Sequence, residues 1–355
     1  MSGPVSTVDA PADQVDTGHP APPCLEVSDS REATVGAVRV RRALPRRARR
    51  TVGPWCFADH LGPADVTENS GLDIGPHPHI GLQTVTWLTD GQVLHRDSLG
   101  SEQVIKPGQL NLMTSGHAIA HAEEATGHYR GTLEGIQMWT ALPESTRHGA
   151  PAFEHHVELP QADLDGGAGT ATVLMGDFGS LTSRARHDTP LVGVELDLHA
   201  PATVPLRSDW EHALVVLQGA VAVHGQPLHP GRLGYLGEGR DALPLDVREP
   251  TRVMLLGGEP FPEPILMWWN FVAAAVRRST PPMPRGPAKT TVSVAWRLPC
   301  PSSPQRPPSG TTPQRADEQD KHHGAVDRAD PLAALPPPCS AVCDRGPRRR
   351  YRGTR

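Results

Sequence analysis

The feature that most constrains this chain is a β-patterned run, residues 75–124, that carries a pair of metal-binding side-chain types at each end. One end reads Gly75-Pro76-His77-Pro78-His79-Ile80-Gly81. The other reads Ser115-Gly116-His117-Ala118-Ile119-Ala120-His121-Ala122-Glu123-Glu124. Between them, Gln83-Thr84-Val85-Thr86-Trp87-Leu88 and Gln92-Val93-Leu94-His95-Arg96-Asp97 flank Asp90-Gly91. An Asp-Gly pair between β-formers is a strong hairpin signal. In extended backbone, side chains at i and i+2 share a face, so His77 aligns with His79 and His121 with Glu123. A barrel that sets the two segments side by side brings three imidazoles and one carboxylate to a point. Three nitrogens and one oxygen suit Fe(II), with Mn, Ni, Cu and Zn as competitors. On an octahedral metal, four protein ligands leave two positions for water, O2 or substrate.

The remaining histidines have plainer readings. His95, His117 and His128 read as surface or satisfied core residues. His117 is a rival ligand only if its segment is helical, since it lies four residues from His121, and Gly116 beside it argues for a bend. His148, His155 and His156 fall in a loop without the strand spacing that makes ligands converge, and read as solvated.

Several spaced motifs in a fixed order resemble the pirin family, a branch of the cupins with two β-barrels. They are Phe57-Ala58-Asp59-His60-Leu61-Gly62-Pro63, His77-Pro78-His79-Ile80-Gly81-Leu82-Gln83-Thr84-Val85-Thr86, His95-Arg96-Asp97-Ser98-Leu99-Gly100, Lys106-Pro107-Gly108, Met113-Thr114-Ser115-Gly116 and His121-Ala122-Glu123. Glu263-Pro264-Ile265-Leu266 with Phe271-Val272 also fits. The resemblance covers roughly residues 35–273. It implies an all-β fold of two cupin, jelly-roll-like barrels stacked in tandem. It also implies one metal, usually iron, bound at His77, His79, His121 and Glu123. Gln83 stands where general cupin patterns often place a ligand glutamate, and is expected behind the ligands rather than among them.

The second barrel is also legible as a weak internal duplication. Gln218-Gly219 mirrors Asp90-Gly91, and Pro230-Gly231 mirrors Pro107-Gly108. The metal set is not repeated: Asp209-Trp210-Glu211-His212 stands where the first barrel has His-Pro-His, and Glu211 and His212 fall on opposite strand faces. The expected organisation is a disordered leader (1–34), a metal-binding cupin domain (35–145), a linker (146–170), a cupin domain without metal (171–273) and a Pro- and Arg-rich disordered tail (274–355). The family pattern stops abruptly near Ala273. A reading-frame change in a GC-rich gene is the preferred account, with a natural disordered extension as the alternative.

Composition narrows the function classes. Net charge is −5, and no basic run falls between Phe57 and Glu124, so no field there attracts nucleic acid or anionic membrane. The arginines Arg41, Arg42, Arg46, Arg47, Arg49 and Arg50 read as an edge hairpin blunted by charge, with an anion or acidic-partner patch as the rival reading. The five cysteines are scattered without a C-x-x-C, and the first residues lack an apolar core like that of a signal peptide, so a cytoplasmic location is expected. No stretch approaches the ~20 apolar residues of a membrane span.

The resemblance implies a quercetin 2,3-dioxygenase-type oxygenase acting on a small aromatic, flavonol-like substrate with O2. Glu123 would then serve both as ligand and as catalytic base. The alternative is a non-enzymatic, metal- or redox-dependent binding protein that regulates a protein partner. Gln137 or Trp139 is expected to face the substrate, whereas Trp55 and Phe57 are expected to be core.

Overall fold

The computed structural model describes residues 25–67, 70–262 and 264–274. Among them one short helix, Glu144–Arg147, interrupts an otherwise all-β chain, and no helix is long and apolar enough to cross a membrane.

The strands form two barrels of one design. The larger sheet of the first runs Ala152–His156, Leu110–Thr114, Leu82–Asp90, Gly131–Ala141, Trp55–Val66, Val38–Leu44, Arg31–Val35. Its smaller sheet runs Ile74–His79, Ile119–Glu124, Val93–Asp97, Glu102–Ile105. The second barrel repeats both orders. Its larger sheet runs Glu26–Asp29, Arg232–Gly237, Glu211–Gln218, Thr251–Gly258, Leu191–Leu198, Gly169–Phe178, Gln161–Leu164. Its smaller sheet runs Ala202–Pro205, Ala242–Val247, Val221–Val223, Gln226–Leu228. All these strands pair antiparallel with their neighbours.

The two large sheets pack on each other, and strand alternation explains how. On Leu82–Asp90, Val85 and Trp87 join a core that also holds Ala213, Val215 and Leu217 of Glu211–Gln218. The intervening residues face the barrel interiors: Thr84 and Thr86 in the first, Leu214 and Val216 in the second. Trp55 bridges the barrels, its indole N–H donating to the carbonyls of Val192 and Gly257, both at 3.1 Å. Full burial of one such side chain contributes roughly 1.5–3 kcal/mol, so the shared core makes each barrel a support for the other.

Two expected boundaries differ from the structure. Glu26–Asp29 and Arg31–Val35, placed in the leader, are strands: the first pairs with Arg232–Gly237 of the second barrel and the second with Val38–Leu44 of the first. Ala152–His156, placed in the linker, pairs with Leu110–Thr114, and Gln161–Leu164 pairs with Gly169–Phe178. These are edge strands. One neighbour and one half-covered face suffice for them, so they carry polar residues and show little alternation. The rest of the leader (1–24) and nearly all of the tail (275–355) lie outside the described residues.

A hairpin, Ile265–Trp268 with Phe271–Ala274, returns the chain to the first barrel. The Val272 N–H donates to the Ile80 carbonyl at 2.9 Å, beside His79. Gly81 makes this approach possible: its φ is +74°, and a Cβ there would lie 2.2 Å from the Val272 oxygen.

Candidate metal centre

The smaller sheet of the first barrel brings the two ends of the motif run together. Ile119–Glu124 lies between Ile74–His79 and Val93–Asp97, with His121 opposite His77 on one side and opposite Asp97 on the other. Ile119 is opposite His79, and the register slips between His121 and Glu123. Side chains 42 positions apart in sequence thus become neighbours: His79 Nε2 lies 3.1 Å from His121 Nε2. The donor atoms of His77, His79 and His121 all lie within 4.8 Å of one another.

This arrangement fits a metal cation. With metal–nitrogen bonds of about 2.0–2.1 Å, two imidazoles at right angles stand about 3 Å apart at their ligating atoms. Partners of the other ring nitrogen leave Nε2 free on two of the rings. His77 Nδ1 donates to the Gly75 carbonyl at 2.8 Å. His121 Nδ1 meets His95 Nδ1 at 3.4 Å, and His95 Nε2 in turn reaches Asp97 Oδ2 at 3.2 Å. A carboxylate thus orients one histidine, which orients the next, the usual support of a metal-binding imidazole.

Electrostatics favours neutral, ligating imidazoles. Burial lowers the pKa of His77, and that of His79 falls to about 3 through burial and the neighbouring His77. His121 is held well below the ordinary histidine value by burial, then by His79, His77 and His95. Three lone pairs with no protons on them form a site that a cation completes.

Glu123 lies in the same cavity but outside the tight histidine group. Both of its carboxylate oxygens accept from the Gln137 amide, at 2.9 and 3.0 Å, and Thr86 Oγ1 approaches one of them at 3.4 Å. Burial pushes its carboxyl up to about 7, against the pull of those hydrogen bonds. The cavity has a volume of about 470 Å3 and includes His77, His79, Glu123 and Gln137 in its wall.

The other expectations resolve as follows. Trp139 lines the cavity and stacks on Phe57 at 4.0 Å between ring centroids. Phe57 is therefore cavity wall rather than plain core. Trp55 is core, between the barrels. His117 is exposed, bonded to the Gly149 carbonyl, and is not in the histidine group. The amide of Gln83 is fully engaged by Thr114, Thr140 and the Arg186 carbonyl. Sequence reasoning missed His95 as the support of His121. The available signal was His95-x-Asp97 on the strand adjoining Ile119–Glu124. It also missed the bidentate pair of Arg42 with Asp59 at 2.6 and 2.8 Å, with the Arg42 guanidinium over the Phe57 ring at 4.6 Å. No local spacing signals that pair, because 17 residues and a turn separate its members.

The second barrel has no such centre among the described residues. Ala242–Val247, the strand equivalent to Ile119–Glu124, buries Leu243, Leu245 and Val247. An apolar interior there replaces the ligand set.

Comparison with known proteins agrees with the two-barrel fold. Residues 37–140 match the Pirin family model, and residues 191–278 match the model for the Pirin C-terminal cupin domain. A Pseudomonas aeruginosa protein named "Putative quercetin 2,3-dioxygenase" is 48% identical over 239 residues, covering 67% of this chain and 75% of that protein. A pirin-like protein of Caulobacter vibrioides is 37% identical over 260 residues, covering 71% and 89%. The crystal structure of a quercetin 2,3-dioxygenase from Acinetobacter baumannii superposes with a TM-score of 0.68 at 42% identity, covering 71% of this chain and 84% of that one. With its duplicated barrel, its histidine centre confined to the first copy and these matches along both, the chain belongs to the pirin family of bicupins.

Proposed function

We propose that the chain is an Fe(II)-dependent dioxygenase of the quercetin 2,3-dioxygenase type, with His77, His79, His121 and Glu123 as the metal-binding set. The observation that carries this reading is the facing Nε2 pair of His79 and His121, 3.1 Å apart, with His79 lining the same cavity as the buried carboxylate of Glu123. The donor types suit Fe(II) as they do the other first-row cations named above, and Fe(II) is the one the family resemblance implies. A cation held by these residues would supply Lewis acidity toward the oxygens of a bound flavonol.

The chain's own residues do the rest. His77, His79 and His121 hold their ligating nitrogens inward, the last through His95 and Asp97. Glu123 takes the proton of the flavonol hydroxyl. Its pKa near 7 without a cation falls when a positive charge is bound beside it, so the carboxylate is ionised and able to accept. Gln137 fixes both oxygens of that carboxylate and gives one up when a substrate hydroxyl arrives. Phe57 and Trp139, stacked on each other, give the cavity an apolar side suited to an aromatic substrate.

The test is anaerobic loading with Fe(II), then addition of quercetin and O2. Loss of flavonol absorbance with one CO released per quercetin supports the proposal. Metal-replete protein that consumes neither quercetin nor O2 overturns it in favour of a regulatory binding role.

A further inference from the structure

A second cavity, of about 640 Å3, opens where the two barrels meet, and arginine dominates its lining. Arg31 comes from the strand Arg31–Val35, and Arg42 from Val38–Leu44. Arg46, Arg47 and Arg49 come from the loop that follows. Glu26 is the one acidic residue in the wall. Two of the cations have carboxylate partners: Arg42 pairs with Asp59, and Arg49 with Glu26 at 2.9 Å. Arg31, Arg46 and Arg47 make no ion pair among the described residues.

The site is built rather than scattered. Reciprocal backbone hydrogen bonds between Arg46 and Arg49, at 2.7 and 3.2 Å, pin the loop. The Arg49 guanidinium lies over the Tyr235 ring, 3.2 Å from its centroid, and the Tyr235 hydroxyl is fixed by Glu211 at 2.8 Å. Val27 and Leu233 add an apolar floor. In a chain of net charge −5, three guanidinium groups without an ion pair, Arg31 within reach of the longer-range charge of Asp59, line one concave surface and form a local field of the opposite sign. An isolated surface charge is well solvated. Several gathered along one cleft repel one another, and an anion that bridges them relieves that repulsion.

We propose that this groove is a binding site for a small organic polyanion, with phosphate or carboxylate groups at two ends. The cations come from two elements, Arg31 from a strand and Arg46 and Arg47 from the loop, so a ligand with two anionic groups engages both. The apolar floor takes the carbon skeleton between them. Arg42 lines both this groove and the metal cavity, and its pair with Asp59 stands between them. The groove adjoins the metal cavity but holds none of the proposed metal-binding residues, so its occupation does not require the proposed catalytic reading.

Isothermal titration of the full chain in its metal-free form tests this, at about 0.15 M salt, where long-range attraction is screened. The probes are inorganic pyrophosphate for the phosphate arm and citrate for the carboxylate arm. The expected result is saturable 1:1 binding of at least one probe, weakened tenfold or more by R46A/R47A and by Arg31→Ala. Thermal melts of these variants within 2–3 °C of the parent's show that the fold is retained. The proposal is overturned if neither probe saturates, or if the variants bind as the parent does. It is also overturned if poly-glutamate binds while both small probes fail, which assigns the arginines to an acidic protein surface. Saturable anion binding by a protein that, loaded separately with Fe(II), never turns over quercetin refutes the dioxygenase reading alone.

Discussion

Gln137 holds Glu123 by both oxygens: one amide nitrogen lies 2.9 Å from one and 3.0 Å from the other. The two sit on different sheets of the first barrel, on Gly131–Ala141 and Ile119–Glu124, so this contact spans the cavity. Replacing Gln137 with Leu removes the donor and leaves a buried carboxyl with only the longer contact to Thr86. The expected cost in metal-free protein is about 1–3 kcal/mol, read as a lower urea midpoint at unchanged slope. Glu123→Gln behaves differently. It removes the charge and keeps the shape, so stability changes little and the three imidazoles still hold metal. Turnover of quercetin falls by 10²-fold or more, about the contribution of a general base.

The histidine centre makes a stoichiometric prediction. His79→Ala and His121→Ala each remove one of the facing nitrogens, and elemental analysis of Fe(II)-loaded protein is expected to fall from one metal per chain to less than a tenth. His117→Ala leaves stoichiometry unchanged, because His117 is bonded to the Gly149 carbonyl away from the group. Equal loss in all three variants would show that the metal signal does not come from this centre.

Much of this arrangement was legible in residues 75–124 because strand geometry is periodic. His77 and His79, and His121 with Glu123, announce themselves at i and i+2, and Asp90-Gly91 announces the hairpin between them. The limits were physical. Glu26–Asp29 and Ala152–His156 join sheets at their edges, where little apolar surface is needed, so their sequences look like leader and linker. The role of Phe57 depends on the pair of Arg42 with Asp59 and on Trp139, contacts made across strands that no local pattern encodes. Glu123 has the spacing of a ligand, yet the register slip before it sets its carboxylate against Gln137. Periodicity gives a side chain's face, whereas its partner depends on the register between strands.

His95 offers a test of support without ligation. Its ring stacks on Phe153 at 4.5 Å between centroids and links Asp97 to His121. His95→Phe keeps the ring and its stacking but breaks the link. Metal affinity is expected to fall 10–100-fold, the usual effect of losing such an outer partner, with a thermal melt close to the parent's. Competition with a chromogenic chelator reads the affinity directly. Unchanged affinity would reduce His95 to packing.

The second barrel yields the pH prediction. His212 is buried in the second barrel, beside the Leu214 and Val216 interior, and its pKa drops to about 4, chiefly through burial. Its contact with the Trp210 carbonyl and the charge of Asp209 push the other way, while Arg240 adds to the drop. A folded-state pKa below the unfolded value of 6.5 means that the unfolded chain takes up a proton that the native chain refuses. Stability from this residue is thus full above pH 6.5, falls as pH drops from 6.5 to about 4, and is flat below. The span corresponds to about 3 kcal/mol at 1.36 kcal/mol per pKa unit. His212→Leu suits the neighbouring apolar interior and removes the proton site. Urea unfolding of parent and variant at pH 7 and pH 4.5 is therefore expected to show a smaller acid loss in the variant, by 2 kcal/mol or more. Parallel pH profiles for the two proteins would show that His212 is protonated in the folded chain and that its burial carries no such penalty.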